Sequence, residues 1–216
     1  MKHQAGGTEL LVRVLHVGEM AACCYLAGRA GGAGIIIDPG DEAGRIADDV
    51  RAAKLAITHI VLTHGHVDHI GALEQTRKTF PDAKVAIHPD DAPLLERPSL
   101  NLSLFFGGGI KCAPADLLLR EGDAIDVAGV RASVIHVPGH TPGGICLHLP
   151  DAGVVFTGDV LFAGGIGRSD FPGGNESQLI DGIRAKLLAL PPDTVVYPGH
   201  GPASTIGEEK DGNPFL

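Results

Sequence analysis

Apolar residues gather in short runs at 10–17, 21–27, 34–37, 57–62 and 84–87, the lengths of β-strands, with amphipathic patterns between them. Ala43, Ile46, Ala47 and Val50 share one face of a helix that Asp41 is placed to cap and that runs through Lys54; Ile70, Leu73 and Phe80 mark a second. Beyond a Pro- and Gly-rich passage at 93–114, strand-like runs fall at 124–127, 130–137, 144–149 and 153–157. A last helix is predicted over 176–190. Asn175 stands at its N-cap with Gln178 three residues on, Leu179, Ile180, Ile183, Leu187 and Leu188 form its apolar stripe, and Pro191 and Pro192 end it. A strand at 194–197 precedes the tail.

Both halves therefore read as several strands followed by a helix, without a visible repeat. Ile35-Ile36-Ile37 and Val154-Val155-Phe156 are continuously apolar, as strands covered on both faces are. Two facing mixed sheets with helices outside, an αββα sandwich of the α/β class, satisfy the pattern. One domain over 1–216 is expected, since a chain of this length hides roughly 70% of its unfolded surface.

Composition narrows the function. The 17 Lys and Arg against 26 Asp and Glu give a net charge of −9, and no basic patch relieves that field, so no nucleic-acid partner is expected. Residues 1–17 lack an apolar signal core, and the most apolar stretch, 20–37, is broken by Arg29 and several glycines. Neither secretion nor a membrane span is indicated, and the cytoplasm is the expected compartment. The four cysteines form no C-x-x-C and read as reduced, mostly buried thiols. No G-x-S-x-G elbow, P-loop or complete G-x-G-x-x-G is present, so serine hydrolase, NTPase and dinucleotide-binding readings lack their motifs.

The 11 histidines carry the chemistry. The strand at 57–62 runs into His64-Gly65-His66-Val67-Asp68-His69, four metal-ligand side chains within six residues. With the chain extended at the strand's exit, His64 and His66 point the same way, while Asp68 and His69 open the next helix and face a neighbouring point. One segment can thus supply two metals. Three other strand exits pair a glycine with a ligand: Pro138-Gly139-His140, Thr157-Gly158-Asp159 and Pro198-Gly199-His200. If the four exits meet at one edge, they gather five His and two Asp. His3, His16, His59, His88, His136 and His148 each lack a second ligand beside them and read as surface or hydrogen-bonded core residues.

The H-x-H-x-D-H signature at 64–69, with the later ligands in the same order, resembles the metallo-β-lactamase superfamily over nearly the whole chain. The resemblance implies that His64, His66 and His140 hold one metal, that Asp68, His69 and His200 hold another, and that Asp159 bridges them. Asp rather than Cys at 159 resembles the hydrolase branches and not the true β-lactamases. The run from Thr157 to Phe171 and the ending Asn213-Pro214-Phe215-Leu216 look like short bacterial glyoxalase II-type enzymes, the hydroxyacylglutathione hydrolases. Long glyoxalase II enzymes carry a helical domain after the last ligand that supplies part of the glutathione site, and no such segment follows within these 216 residues.

The activity implied is hydrolysis of S-(2-hydroxyacyl)glutathione, such as S-lactoylglutathione, to glutathione and a 2-hydroxy acid. Two divalent ions are expected: zinc first, with iron or manganese also suited to imidazole and carboxylate donors. Water shared between two such ions ionises near neutral pH, its pKa falling from about 15.7 to about 7, so no serine or cysteine nucleophile is needed. Asp68 would also orient the attacking hydroxide. Asp38 is a candidate partner for a ligand histidine. Arg168 could clamp a substrate carboxylate or pair with Asp170 in its own loop. The stretch 102–109 reads either as an apolar lip over the site or as packing surface. The alternatives are a persulfide dioxygenase, whose G-x-G-R-S-D-F pattern recurs at 165–171 and whose single iron would sit on His64, His140 and Asp159, and a lactonase or other ester hydrolase. The complete second ligand set favours hydrolysis. The oligomeric state is not encoded in any pattern visible here.

Overall fold

In the computed structural model, which describes residues 1–5 and 8–216, the strand-forming runs assemble into two facing sheets. The first has seven strands in chain order: β1 (Lys2–Ala5), β2 (Thr8–Val17), β3 (Ala22–Gly28), β4 (Ala33–Ile37), β5 (Ala56–Val61), β6 (Lys84–Ile87) and β7 (Leu117–Leu118). β1 to β4 pair antiparallel and β4 to β7 parallel. Parallel neighbours need crossovers. Helix α1 (Ala43–Ala53) supplies the first, α2 (Val67–Ile70) with α3 (Leu73–Thr79) the second, and α4 (Ala92–Glu96) lies in the third.

The second sheet is built from β8 (Ala124–Val127), β9 (Val130–His136), β10 (Ile145–Leu149) and β11 (Val154–Gly158), paired antiparallel in sequence. A small hairpin, β12 (Leu161–Phe162) and β13 (Gly165–Ile166), follows, and α5 (Glu176–Gly182) crosses back. β14 (Val195–Pro198) lies parallel to β11, β15 (Ser204–Thr205) closes the edge, and α6 (Ile206–Gly212) packs at the end of the chain.

Alternate strand positions feed different layers of core. Tyr25, Ile35, Ile37, Val154 and Phe156 pack between the sheets. Leu26 and Ile36 face the opposite way, against Ile46 and Val50 of α1 and Leu73 of α3. Val155 and Val196 pack with Leu179, Ile183 and Leu187. The interiors of β3, β4 and β11 are therefore buried on both faces, which is why their apolar runs do not alternate, whereas β8 and β9 keep an exposed face; each fully buried Leu, Ile or Val stabilises the fold by roughly 1.5–3 kcal/mol. The αββα sandwich expected from the sequence is the fold observed.

Local details differ. Asp41 does not cap α1: the helix begins after Glu42, which takes a left-handed φ of 55°, and the Asp41 carboxylate accepts the Glu42 N–H at 2.6 Å. The last predicted helix opens as expected, Asn175 Oδ1 accepting the Gln178 N–H at 3.0 Å, but it widens into a π-turn over Ile183–Leu187 rather than running regularly to 190. β1 and α6 were not anticipated: β1 is too polar to read as a strand, and α6 is a seven-residue helix started by a Thr205–Glu208 capping box. All four cysteines are free and buried. No helix among the described residues is long and apolar enough to cross a membrane.

Candidate metal centre

β4 and β5 are parallel, as are β11 and β14, so Asp38, His64, Asp159 and His200 leave the sheets at one edge of the sandwich. The loop after β9 brings His140 to the same place. There the ligand atoms of His64, His66 and His140 lie within 4.8 Å of one another, and so do those of Asp68, His69 and His200. His66 Nδ1 and His140 Nε2 are 3.0 Å apart. Imidazoles sharing one ion at about 2.0–2.1 Å stand about 3.3 Å apart, so this spacing suits a common ion. In the other group, Asp68 Oδ2 is 3.1 Å from His200 Nε2 and 3.6 Å from His69 Nε2.

Asp159 stands between the groups. Its Oδ2 is 3.7 Å from His140 Nε2 on one side and 3.7 Å from His200 Nε2 on the other, and its Oδ1 is 3.3 Å from His69 Nε2. All seven side chains singled out from the sequence thus come together. Three of their atoms, His64 Nε2, His69 Nε2 and Asp159 Oδ1, are buried without a hydrogen-bond partner. An unsatisfied buried polar atom costs about 1–3 kcal/mol, and three at one point fit a cation, for which they are the right donors.

The orienting contacts leave those donors free. Asp38, at a left-handed φ of 51°, accepts the Thr63 N–H at 2.7 Å on Oδ1, and on Oδ2 the Thr63 hydroxyl at 2.6 Å and His69 Nδ1–H at 2.9 Å. The Thr63 hydroxyl in turn accepts from His64 Nδ1 at 3.1 Å. One carboxylate therefore sets both His64 and His69 with Nε2 turned inward. Asp38 shares a potential ligand group with His64 and His69, but its oxygens are already occupied by these bonds, which makes it a positioning residue.

Asp91 is the residue sequence reading missed. Fully buried, it accepts the Gly65 N–H at 3.0 Å, the Thr141 hydroxyl at 2.8 Å and the Gly143 N–H at 2.6 Å. It ties the His64–His66 segment to the His140 loop. Burial pushes its carboxyl pKa up even though the three donors oppose the rise. Gly199 also admits the centre: a Cβ there would lie 2.1 Å from Asp159 Oδ1 and 2.9 Å from His69 Cε1.

Electrostatics separate the two groups. Burial, and then the neighbouring imidazoles, hold His64 well below the ordinary histidine range and His66 at about 3, so both keep their lone pairs unprotonated. Burial pulls His69 the same way, but Asp68, Asp159 and Asp38 outweigh it and raise its affinity for protons. The hydrogen bond to Asp68 raises His200. Burial opposes ionisation of Asp68 and Asp159, yet His69 above all keeps both carboxyls below their ordinary values. The carboxylate-rich half thus attracts positive charge.

Arg168 borders the cleft over this centre, a space of ≈ 320 Å³ that also exposes Met20, Phe106 and Phe171. Its guanidinium makes two 2.7 Å bonds to Asp170 and lies 3.9 Å from the centroid of the Phe171 ring. The apolar stretch divides: Leu102 is buried, whereas Leu104, Phe105 and Phe106 are exposed. His88, expected to lack a second ligand nearby, in fact lies with Asp90 and His136. The rings of His88 and His136 stack 3.9 Å apart at 15°, however, so their in-plane lone pairs do not converge on one point.

Residues 17–200 match the metallo-beta-lactamase superfamily, and the chain belongs to that family. It is 41% identical over 182 residues to hydroxyacylglutathione hydrolase GloC of Haemophilus influenzae, covering 84% of this chain and 86% of that one. It is 40% identical over 183 residues to the probable metallo-hydrolase YqgX of Bacillus subtilis, with the same coverage of 84% and 86%. Among solved structures, the BLEG-1 B3 metallo-beta-lactamase is similar at 38% identity and a TM-score of 0.91, covering 95% of this chain and 99% of that one. TTHA1623 in a di-iron-bound form is similar at 37% identity and a TM-score of 0.84, covering 95% and 100%. ETHE1 from Myxococcus xanthus is similar at 31% identity and a TM-score of 0.76, covering 94% and 83%.

Proposed function

We propose that this chain is a dinuclear metal-dependent thioester hydrolase of the glyoxalase II type, acting on S-(2-hydroxyacyl)glutathione substrates such as S-lactoylglutathione. The observation that carries the reading is Asp159 standing between the His64–His66–His140 and Asp68–His69–His200 groups, with an oxygen 3.7 Å from a histidine of each. His64, His66 and His140 would hold one ion, Asp68, His69 and His200 the other, and Asp159 both. Two divalent ions held there would supply an acidified water, its pKa brought towards about 7, and Lewis-acid polarisation of a carbonyl. Zinc is the first metal to test and iron or manganese the next, since no thiolate donor narrows the choice and the TTHA1623 relative is described in a di-iron-bound form.

The chain's own residues do the rest. Asp38 and Thr63 fix the tautomers of His69 and His64. Asp68, on the open side of the centre, is placed to orient the attacking oxygen. Arg168 faces the cleft and can take a carboxylate of the thiol carrier. A thiolate leaves without a strong general acid, and the carboxylates among the described residues lining the cleft are Asp68 and Asp159. The GloC relative's name supports glutathione as carrier. The net charge of −9 supports a small molecule over nucleic acid as the partner.

The ETHE1 neighbour supports a second reading, a persulfide dioxygenase with one iron on His64, His140 and Asp159. The complete second group around His69 and His200 favours the hydrolase; a lactonase would use the same centre on an ester. Elemental analysis combined with S-lactoylglutathione hydrolysis decides between them. Two metals per chain and thioester cleavage are expected; one iron, with oxygen uptake on glutathione persulfide and no thioester turnover, would overturn the proposal.

A further inference from the structure

A second cavity, ≈ 260 Å³, opens between the β2–β3 hairpin, α2 and the turn at 103–106. Val17, Met20, Val67, Phe106 and Ile110 give it an apolar wall. Met20, Val67, Asp68 and Phe106 border both this cavity and the cleft over His66, Asp159 and His200, so the two spaces adjoin at Asp68. Its mouth is framed by large apolar side chains that stay open to solvent, Met20 being 40% and Phe106 61% exposed. Phe106 does not hang on a loose loop: Asn101 donates to Leu94 O and Ile110 O, and the Ile110 N–H bonds the Ser103 hydroxyl at 3.0 Å.

Charge distinguishes the two ends. The charged groups lining the apolar arm are Glu19, Asp41 and Asp68, none of them basic, whereas Arg168 borders the other side of the metal centre. An anionic group is therefore accepted at the Arg168 side and resisted in the arm. At about 30 Å³ per water-sized group, 260 Å³ corresponds to roughly eight or nine such groups, so a six-carbon acyl chain fits within the arm. A lactoyl group, with one methyl and one hydroxyl, would leave most of it empty.

We infer that this arm is the acyl site and that the preferred substrates carry a neutral, apolar acyl chain of intermediate length, with the charged thiol carrier towards Arg168. This rests on the thioester-hydrolase reading and keeps its centre and its carrier, but replaces lactoyl by a longer apolar chain as the preferred acyl group. The chemistry is ordinary thioester cleavage: water adds across the acyl carbon–sulfur bond, the acid keeps the new C–O bond and the thiol takes the remaining proton.

The test is a series of S-acyl N-acetylcysteamines, acetyl, butanoyl, hexanoyl, lactoyl and glutaryl, with metal-replete protein. Burial of each methylene should raise kcat/KM about two- to fourfold from acetyl to hexanoyl. The glutaryl thioester should fall at least tenfold below hexanoyl. Ile110→Trp, which fills the arm, should bring the hexanoyl-to-acetyl ratio towards one; Met20→Ala, at the exposed hairpin tip, should lower the same ratio if the tryptophan variant does not fold. Independently of turnover, S-hexyl-N-acetylcysteamine should bind the metal-free protein at least tenfold tighter than its S-methyl counterpart and shift the methyl NMR signals of Val17 and Ile110. Thioester turnover with a flat or descending series and no preference for the hexyl probe overturns the acyl site and leaves the hydrolase standing. Absence of turnover on this series and on S-lactoylglutathione and S-hexanoylglutathione overturns the hydrolase, and the acyl site with it.

Discussion

The backbone carbonyl of Arg168 accepts the Nδ1–H of His140 at 2.7 Å, while the guanidinium of the same residue borders the cleft. The main chain holds a residue of the candidate metal centre, and the side chain is the proposed contact for a substrate carboxylate. Arg168→Ala leaves the carbonyl in place, so metal content and kcat should be unchanged while KM for a glutathione thioester rises, roughly tenfold for the loss of a charge-assisted contact. The guanidinium is exposed and already shared with Asp170. A lowered Tm with unchanged KM would mean that it serves only its own loop.

Gly199→Ala tests how closely the centre is packed. The added methyl would press on Asp159 Oδ1 at 2.1 Å, on the carboxylate lying between the two groups, while Gly199 itself has no left-handed backbone to lose. The folded chain should persist by circular dichroism, and elemental analysis should find less than one metal per chain. Full occupancy in this variant would show that Asp159 is not needed by both ions.

How much of this was legible follows from where the contacts lie in the chain. The seven side chains could be grouped because each follows a strand exit and four of them fall within six residues, a local signal. Asp91 has no such signal. It lies in Pro89-Asp90-Asp91-Ala92, an ordinary turn sequence, and its partners Gly65, Thr141 and Gly143 are 26, 50 and 52 residues away. The sandwich was readable from continuous apolar runs, whereas β1, three polar residues before a single buried Ala5, owes its place to pairing with β2. Asp41 looked like a cap because acidic residues favour that position, but the chain turns one residue later, at Glu42.

Asp91→Asn should destabilise both the fold and the centre. An amide keeps one acceptor but turns a donor towards one of the N–H or hydroxyl groups that Asp91 now receives. Mispairing there costs about 2–4 kcal/mol, and a chain of this size loses roughly 5–15 °C of Tm for it. The His64–His66–His140 group, which Asp91 ties together, should release its metal first, and calorimetric metal titration should show one weakened site and one near normal.

The stacked pair at His88 and His136 sets a pH dependence away from the metals. Burial first, and then His136, lower the His88 pKa below its ordinary value, while Asp90 opposes the shift. The unfolded chain therefore binds a proton more readily than the folded one, and the contribution is present above about pH 6.5 and lost as pH falls through the folded value. Replacing His88 by Phe keeps an aromatic face against His136 and removes the titration. The Tm difference between pH 7.5 and 6.0 should be smaller in this variant than in the parent protein; an equal difference would assign the dependence to other groups.

Metal removal should uncouple the centre from the core. The three apolar layers contain none of the seven side chains, so chelation with dipicolinate should leave far-UV circular dichroism intact. The folded state nevertheless loses what the ions contribute: each ion present at one hundred times its dissociation constant stabilises by about 2.7 kcal/mol, and two by about 5 kcal/mol. For a chain of 216 residues this corresponds to a fall in Tm of roughly 10–20 °C. Readdition of metal should restore Tm in two steps if the groups fill independently, or in one if Asp159 couples them. The carboxylate-rich group around His69 should fill first, because its charge is the more negative. A Tm indifferent to chelation would remove the metals from this edge of the sandwich.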